Sequence, residues 1–416
     1  MKNIKYVLMV LWILLIPFQN SGLRETPLGV LGASPASIPL MALIFVSAIE
    51  WCLNWKALRV NRKVLFIIAY VAIVNIVYLV LSGPVSHGTS LLTKTVNLSV
   101  LTFLSLFPIF FIRYDQPMLG LVIQISFCIA VLGVVLCDIM KLDFLTSNPL
   151  IYYRESSNMR PQGFCRESSP LSAMLIAMGL LSAYFSKNVW AKAAFLAIMV
   201  SSVLYSASKG GFLSLSVVAI LVILLQMKYR PWLTVFLVPI GGAIVYFVYG
   251  FISLQFAGNI AEYASITSRL DLIIASVIAA FHNPFGVGFS GFLPAMDKYI
   301  PVASEFIQRV SGINLNFAEV ISYVMSSSDE FICTKTFLFD FLIFYGWPFL
   351  ILYLWFHYKL LQHLRDSKNI ILLAVLIYVF LAISTYKNPN VLYNISLAYG
   401  VIWYEVHRKK DFDSSA

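Results

Sequence analysis

Charged side chains are scarce in this sequence. Only 12% of its 416 residues are Asp, Glu, Lys or Arg, against about 25% in an ordinary soluble domain. That scarcity excludes a water-soluble globular fold. The 15% aromatic content excludes a disordered chain. Histidine is rarer still, at five residues, and no His, Asp or Glu residues cluster at metal-ligand spacing. The five cysteines, Cys52, Cys128, Cys137, Cys165 and Cys333, include no C-x-x-C pair. Neither a zinc site nor a disulfide framework is expected. A phosphate-binding P-loop and a G-x-S-x-G nucleophile elbow are both missing.

What is present is apolar: 60% of residues by type, with mean hydropathy +0.85. Runs near the ~20 residues needed to cross a bilayer occur at 4–19, 36–53, 64–82, 95–112, 117–139, 170–186, 189–207, 210–227, 231–253, 337–358, 369–386 and 389–406. The run behind Lys2 and Lys5 has no small-residue cleavage site after it, so it reads as a first span and not as a leader. The expected fold is all-α: a polytopic helical membrane protein of about 12 spans, one membrane domain over residues 1–416, with no internal repeat.

The net charge of +10 would suggest nucleic acid in a soluble protein. Here the positive-inside rule accounts for it, and no nucleic acid partner is expected. With the N-terminus inside, 17 of the 29 basic residues fall on inner segments. Short outer loops keep only Arg24, Lys94, Lys209 and Lys387. Both termini therefore read as cytoplasmic.

Two outer loops, 140–169 and 254–336, are too long to be connectors. In the longer one, Ser268 and Asp271 have capping-box spacing. Leu270, Ile273, Ile274, Val277, Ile278 and Phe281 then recur at helical intervals. This predicts an amphipathic helix lying at the interface, with Arg269 in its first turn. A cation is unfavourable there unless an anion shares the helix end. The plainer reading is an Arg reaching to lipid headgroups.

In the shorter loop, Arg154, Arg160 and Arg166 precede Ser169 and Pro170, the expected N-cap and first residue of the next helix. A third basic helix start is Ser206-Ala207-Ser208-Lys209-Gly210-Gly211, a tight outer turn that serves either ligand approach or close helix packing. Cations at helix starts are a standard way to hold phosphate. Charges within spans are few, Glu50, Asp138 and Asp340 being the clearest, so no ion relay is expected. Cys165 and Cys333 both fall on the outer side, where a bridge between the two loops is one option.

Four stretches together resemble the O-antigen polymerase and O-antigen ligase superfamily of bacterial inner membranes. Arg160-Pro161-Gln162-Gly163-Phe164 resembles its R-x-x-G outer loop. Ser208-Lys209-Gly210 resembles its S-R-G turn, with Lys for Arg. Arg269 through Asn283-Pro284-Phe285-Gly286-Val287-Gly288 resembles its R, amphipathic helix, N-P-x-G-x-G. Lys335-Thr336, with nine residues between the pair and Gly346, stands where ligases carry His and a polar residue. The resemblance covers residues 154–350.

That resemblance implies a cofactor-free, metal-independent membrane glycosyltransferase acting at the periplasmic face of the inner membrane. Its substrate would be an undecaprenyl-pyrophosphate-linked oligosaccharide, and a chain-length regulator protein and membrane lipid would be partners. A polymerase joins lipid-linked repeat units; a ligase moves the glycan onto lipid A–core. The leaving pyrophosphate needs cations, for which Arg269 and Arg160 come first, then Arg166, Lys209 and Lys335. The acceptor hydroxyl needs a base. Among outer-loop carboxylates Asp329 and Glu330, beside the returning span, and Glu167 are preferred over Glu262, Asp271, Asp297, Glu305 and Glu319. Lys335 in place of His favours polymerase over ligase, because a charged Lys is a poor base. A flippase of lipid-linked sugars is the reading from another class. It would show broken helices, repeats and charged spans, none of which stands out in the sequence.

Overall fold

The computed structural model describes residues 2–19, 21–26, 29–53, 62–86, 88–112, 114, 118–142, 160–165, 167–226, 264–311, 316–325, 336–366, 369–385 and 393–413. Among the described residues the architecture is all-α apart from a two-stranded antiparallel ladder pairing Val85 with Ser90 and Ser86 with Thr89. Eleven of the twelve apolar runs coincide with helices. The run at 231–253 lies outside the described residues.

The helices are α1 (Lys2–Leu15), α2 (Ser37–Leu53), α3 (Arg62–Ser82), α4 (Leu91–Phe111), α5 (Leu119–Gly133), α6 (Ser168–Phe185), α7 (Val189–Tyr205) and α8 (Lys209–Gln226). Three helices then stand in the long loop: α9 (Ala264–His282), α10 (Phe292–Ser311) and α11 (Ala318–Met325). The chain returns through α12 (Phe337–Asp366), α13 (Ile370–Thr385) and α14 (Tyr393–Asp413). Among the described residues, four helices are long and apolar enough to cross a membrane and six shorter ones are apolar.

The core is built around α6, which packs on α5, α7, α8, α13 and α14. A helix apolar on all sides is buried on all sides, and its Ser and Ala positions, such as Ser172, Ala173, Ala177 and Ser182, let neighbours approach. A Cβ on Gly179 would lie 2.8 Å from Met199 of α7. The outward helices carry large exposed apolar side chains. Phe66, Ile73, Ile76 and Val80 of α3 are 59–77% exposed, an apolar surface that lipid covers. Lys5 of α1 pairs with Glu50 of α2, so one of the few span charges is neutralised by a neighbour. The chain is a helical membrane protein.

Helix α12 is broken at Gly346, where φ is +63° and ψ −154°. Into that break fits the segment after α9. Val287 and Gly288 donate their amides to the Ile343 and Phe344 carbonyls at 2.9 and 2.8 Å, and Trp347 donates to Pro284 at 2.9 Å. Helix α3 closes the joint from the other side. Tyr70 donates to the Phe285 carbonyl at 2.7 Å, Phe289 donates its amide to Asn75 Oδ1 at 2.7 Å, and Ser290 donates to the Asn75 carbonyl at 2.8 Å. The N-P-x-G-x-G stretch thus serves as a backbone joint between α9, α12 and α3.

Candidate functional site

Helix α9 begins at Ala264, four residues before the expected start. Ser268 is therefore inside the helix. Its hydroxyl donates to Glu319 of α11 at 2.8 Å and does not cap α9. Arg269 stands in the second turn, where the helix dipole acts weakly, so the first-turn argument for an anion there does not hold. A different observation bears on Arg269: its Nε is buried with no hydrogen-bond partner among the described residues. A buried, unsatisfied guanidinium donor is costly.

Asp271 lies on the opposite side of α9 from Arg269, at two residues' spacing. It is fully buried, accepts from Ser304 of α10 at 2.6 Å, and its Oδ1 has no partner among the described residues. Burial pushes its carboxyl up to about 6, partly offset by the Ser304 bond. Its inaccessibility sets it apart from the exposed base candidates.

The second candidate element is the loop 160–165. Arg160 is exposed at its start. Asp138, in the π-helical turn Val134–Ile139 that ends α5, accepts the amides of Gln162 and Gly163 at 3.0 and 2.7 Å. Phe164 stacks on Phe18 at 4.7 Å and accepts the Gln19 amide at 3.1 Å. The side chain of Gln162 is wholly buried, and neither end of its amide has a partner among the described residues.

Helix α6 starts at Ser168 with Glu167 as its cap residue, each two residues before the expected Pro170 and Ser169. Glu167 is exposed and its side chain makes no cap bond. The helix-start turn at Ser208 is as tight as expected, with Ala207 at φ +50°. Ser208 caps α8 by accepting the Gly211 amide at 3.2 Å, and it also receives the Ser172 hydroxyl of α6 at 2.9 Å. A Cβ on Gly211 would lie 2.5 Å from Ser172 Oγ, whereas Gly210 meets nothing within 4 Å. Gly211 thus serves helix packing, and Gly210 leaves open space.

The structure therefore brings the starts of α6 and α8, with Glu167 and Lys209, to one end beside the Arg160 loop. Arg269 stands on α9, which packs on α10, α11 and α12. Arg166, Asp329, Glu330, Lys335 and Cys333 lie outside the described residues. A cavity of about 260 Å³, walled by Ile73, Val74 and Val77 of α3 and closed by His282 and Asn283, opens beside the joint. His282 Nδ1 lies 2.9 Å from the Ile278 carbonyl, which can only accept, so that nitrogen carries the proton. Sequence reasoning named Asp138 only as a charge within a span and gave it no role; the signal of one is a carboxylate in the last turn of a helix, where the dipole disfavours it. It passed over Tyr70, Asn75 and Tyr78, polar groups in an otherwise apolar span. Among the described residues no group of His, Cys, Asp or Glu could hold a metal ion.

No family model matches the chain. The chain is 27% identical over 359 residues to an uncharacterized 49.5 kDa protein in the cps region of Klebsiella pneumoniae, a match covering 85% of this chain and 81% of that protein.

Proposed function

We propose that this protein is a surface-polysaccharide polymerase, a glycosyltransferase that joins polyprenyl-pyrophosphate-linked repeat units at the outer face of the inner membrane. The observation that carries this reading is the Nε of Arg269, which is buried and has no partner among the described residues. It is the kind of donor that a pyrophosphate oxygen satisfies. The similarity to a protein of a cps region supports a role in polysaccharide synthesis.

In the proposed reaction, a hydroxyl oxygen of the incoming repeat unit attacks the anomeric carbon of the lipid-linked chain. The bond from that carbon to the pyrophosphate oxygen breaks with its electron pair. Arg269 and Arg160 hold the charge that develops on the leaving pyrophosphate, with Lys209 at the α8 start as a further cation. Arg166 and Lys335 belong to the same proposed set. The hydroxyl proton passes to a carboxylate. Glu167 is the exposed candidate beside the Arg160 loop, and Asp329 and Glu330 are the others proposed.

Deletion of the gene and electrophoresis of the cell-surface polysaccharide test the proposal. Loss of all chains longer than one repeat, with single repeats still attached, is the expected result. Surface acceptor left without any glycan would mean transfer onto lipid A–core, the ligase reaction. Repeats that accumulate inside the cell would mean a flippase.

A further inference from the structure

We infer that Asp138 is a positioning residue for Arg160: it fixes the loop that carries the arginine, and this fixation is required for glycan transfer. The inference rests on the reading just proposed, in that Arg160 is taken to bind the pyrophosphate.

Three observations point the same way. First, Asp138 sits in the last turn of its helix, where a carboxylate opposes the backbone dipole, and in a π-helical turn, a geometry found often at functional sites. Second, one oxygen, Oδ2, takes two successive amides, Gln162 and Gly163, at 3.0 and 2.7 Å. Bonds to a carboxylate are roughly twice as strong as neutral ones, and here they set the direction of the chain two residues after Arg160. Third, the rest of the loop is shaped to accept the clamp. Gly163 has φ +53°, and a Cβ on Gly133 would lie 2.6 Å from the Phe164 ring. The loop is thus pressed onto the outer end of α5 while Arg160 stays exposed. A guanidinium on an unclamped loop would have to be ordered each time the pyrophosphate bound, and that ordering costs affinity and alignment.

The test uses the full chain in lipid nanodiscs, with Asp138→Ala, Asp138→Asn, Arg160→Ala and the Asp138→Ala/Arg160→Ala double variant. Hydrogen exchange of the peptide spanning 160–165 reads the clamp without reference to activity. Polymer formed from polyprenyl-pyrophosphate-linked repeats reads the transfer. We expect Asp138→Ala to speed exchange of that peptide by about tenfold or more, while the remaining helices keep their protection. It should cut polymer to the Arg160→Ala level. Asp138→Asn, which keeps an acceptor oxygen, should recover most of both. The double variant should be no worse than Arg160→Ala, as expected when one residue acts through the other.

Unchanged exchange in Asp138→Ala overturns the inference whatever the polymer yield. So does faster exchange with full polymer, or a double variant clearly worse than Arg160→Ala. If Arg160→Ala itself makes full polymer, the pyrophosphate role of Arg160 fails, and the positioning role fails with it. No polymer from the unaltered protein would instead mark failure of the polymerase reading. Should Asp138→Ala be lost from the membrane, Gly163→Ala takes its place, because it strains the same loop at positive φ and leaves Asp138 intact.

Discussion

Gly346 and Pro284 meet backbone to backbone: a Cβ on Gly346 would overlap the Pro284 carbonyl and lie 2.6 Å from the Gly286 nitrogen. The φ and ψ of Gly346, +63° and −154°, belong to a region that only glycine enters freely. Two motifs separated by some sixty residues therefore depend on each other, one supplying the break and the other filling it.

Gly346→Ala should remove folded protein from the membrane. That backbone region alone costs a non-glycine residue roughly 1–3 kcal/mol, and the overlapping atoms are backbone that cannot turn aside. Gly210→Ala is the control. It has open space around it, and in the first turn of α8 alanine gains up to about 1 kcal/mol of helix propensity. Size-exclusion thermostability of tagged protein should rank Gly210→Ala at or above the parent. Equal melting temperatures for the two variants would contradict the joint.

Asp271 gives a pH prediction with a definite sign. Burial raises its carboxyl from the ordinary 3.8 to about 6 in the fold. Below about pH 4 the group is protonated in folded and unfolded chains alike. Between there and about 6 the unfolded chain has released the proton and the fold still holds it, so stability falls as pH rises through this window and then levels off. Asp271→Asn, which still accepts from Ser304, lacks this term. Its melting temperature should exceed the parent's by a margin that grows from pH 4 to pH 7. A margin that is flat with pH would refute the assignment.

The apolar runs were legible because span length is set by the bilayer and needs no tertiary contact. Eleven runs fall on helices, and four helices among the described residues are long and apolar enough to cross a membrane. Helix starts in the long loop were not legible. The Ser268–Asp271 spacing is a local signal, and tertiary partners outcompeted it: Ser268 found Glu319, 51 residues on, and Asp271 found Ser304. Helix α10 was hidden by its prolines. Pro294 is in the first turn, where the missing amide costs nothing, and Pro301 sits inside the helix. Of the candidate site, Arg160 and Glu167 were legible as charges before a span, but the Asp138 clamp was not, because it joins residues 24 and 25 apart.

The orientation is open to a direct check. Both termini inside and residues near 290 outside follow from 17 inner basic residues against four in short outer loops. Reporter fusions near residue 290 should be active only in the periplasmic format, and fusions at the C-terminus only in the cytoplasmic one. The reverse pattern at either point would overturn the topology.

Gln162 separates stability from function. Its buried amide is unsatisfied among the described residues, which costs roughly 1–3 kcal/mol. Gln162→Met keeps the length and removes the polar atoms, so it should raise the melting temperature. If the amide is held for a sugar hydroxyl, polymer yield should fall in the same variant, the usual trade between stability and function. A melting temperature that drops would show that the amide already has a partner.

Arg269 carries the final prediction. Its Nε is buried and has no partner among the described residues. Arg269→Ala should abolish polymer while the protein stays in the membrane, since the change removes an unsatisfied group and breaks no bond found among the described residues. Arg269→Lys should recover only a small part. An ammonium offers a point charge where guanidinium offers a flat fork that spans two phosphate oxygens, and losing one strong donor to a developing anion costs about 10²–10³ in rate. Arg269→Gln keeps side-chain length without the charge and should behave like Ala. Polymer near the parent level in the Lys variant would mean that charge alone suffices and that the arginine faces lipid headgroups. Polymer near the parent level in the Ala variant would remove Arg269 from the reaction.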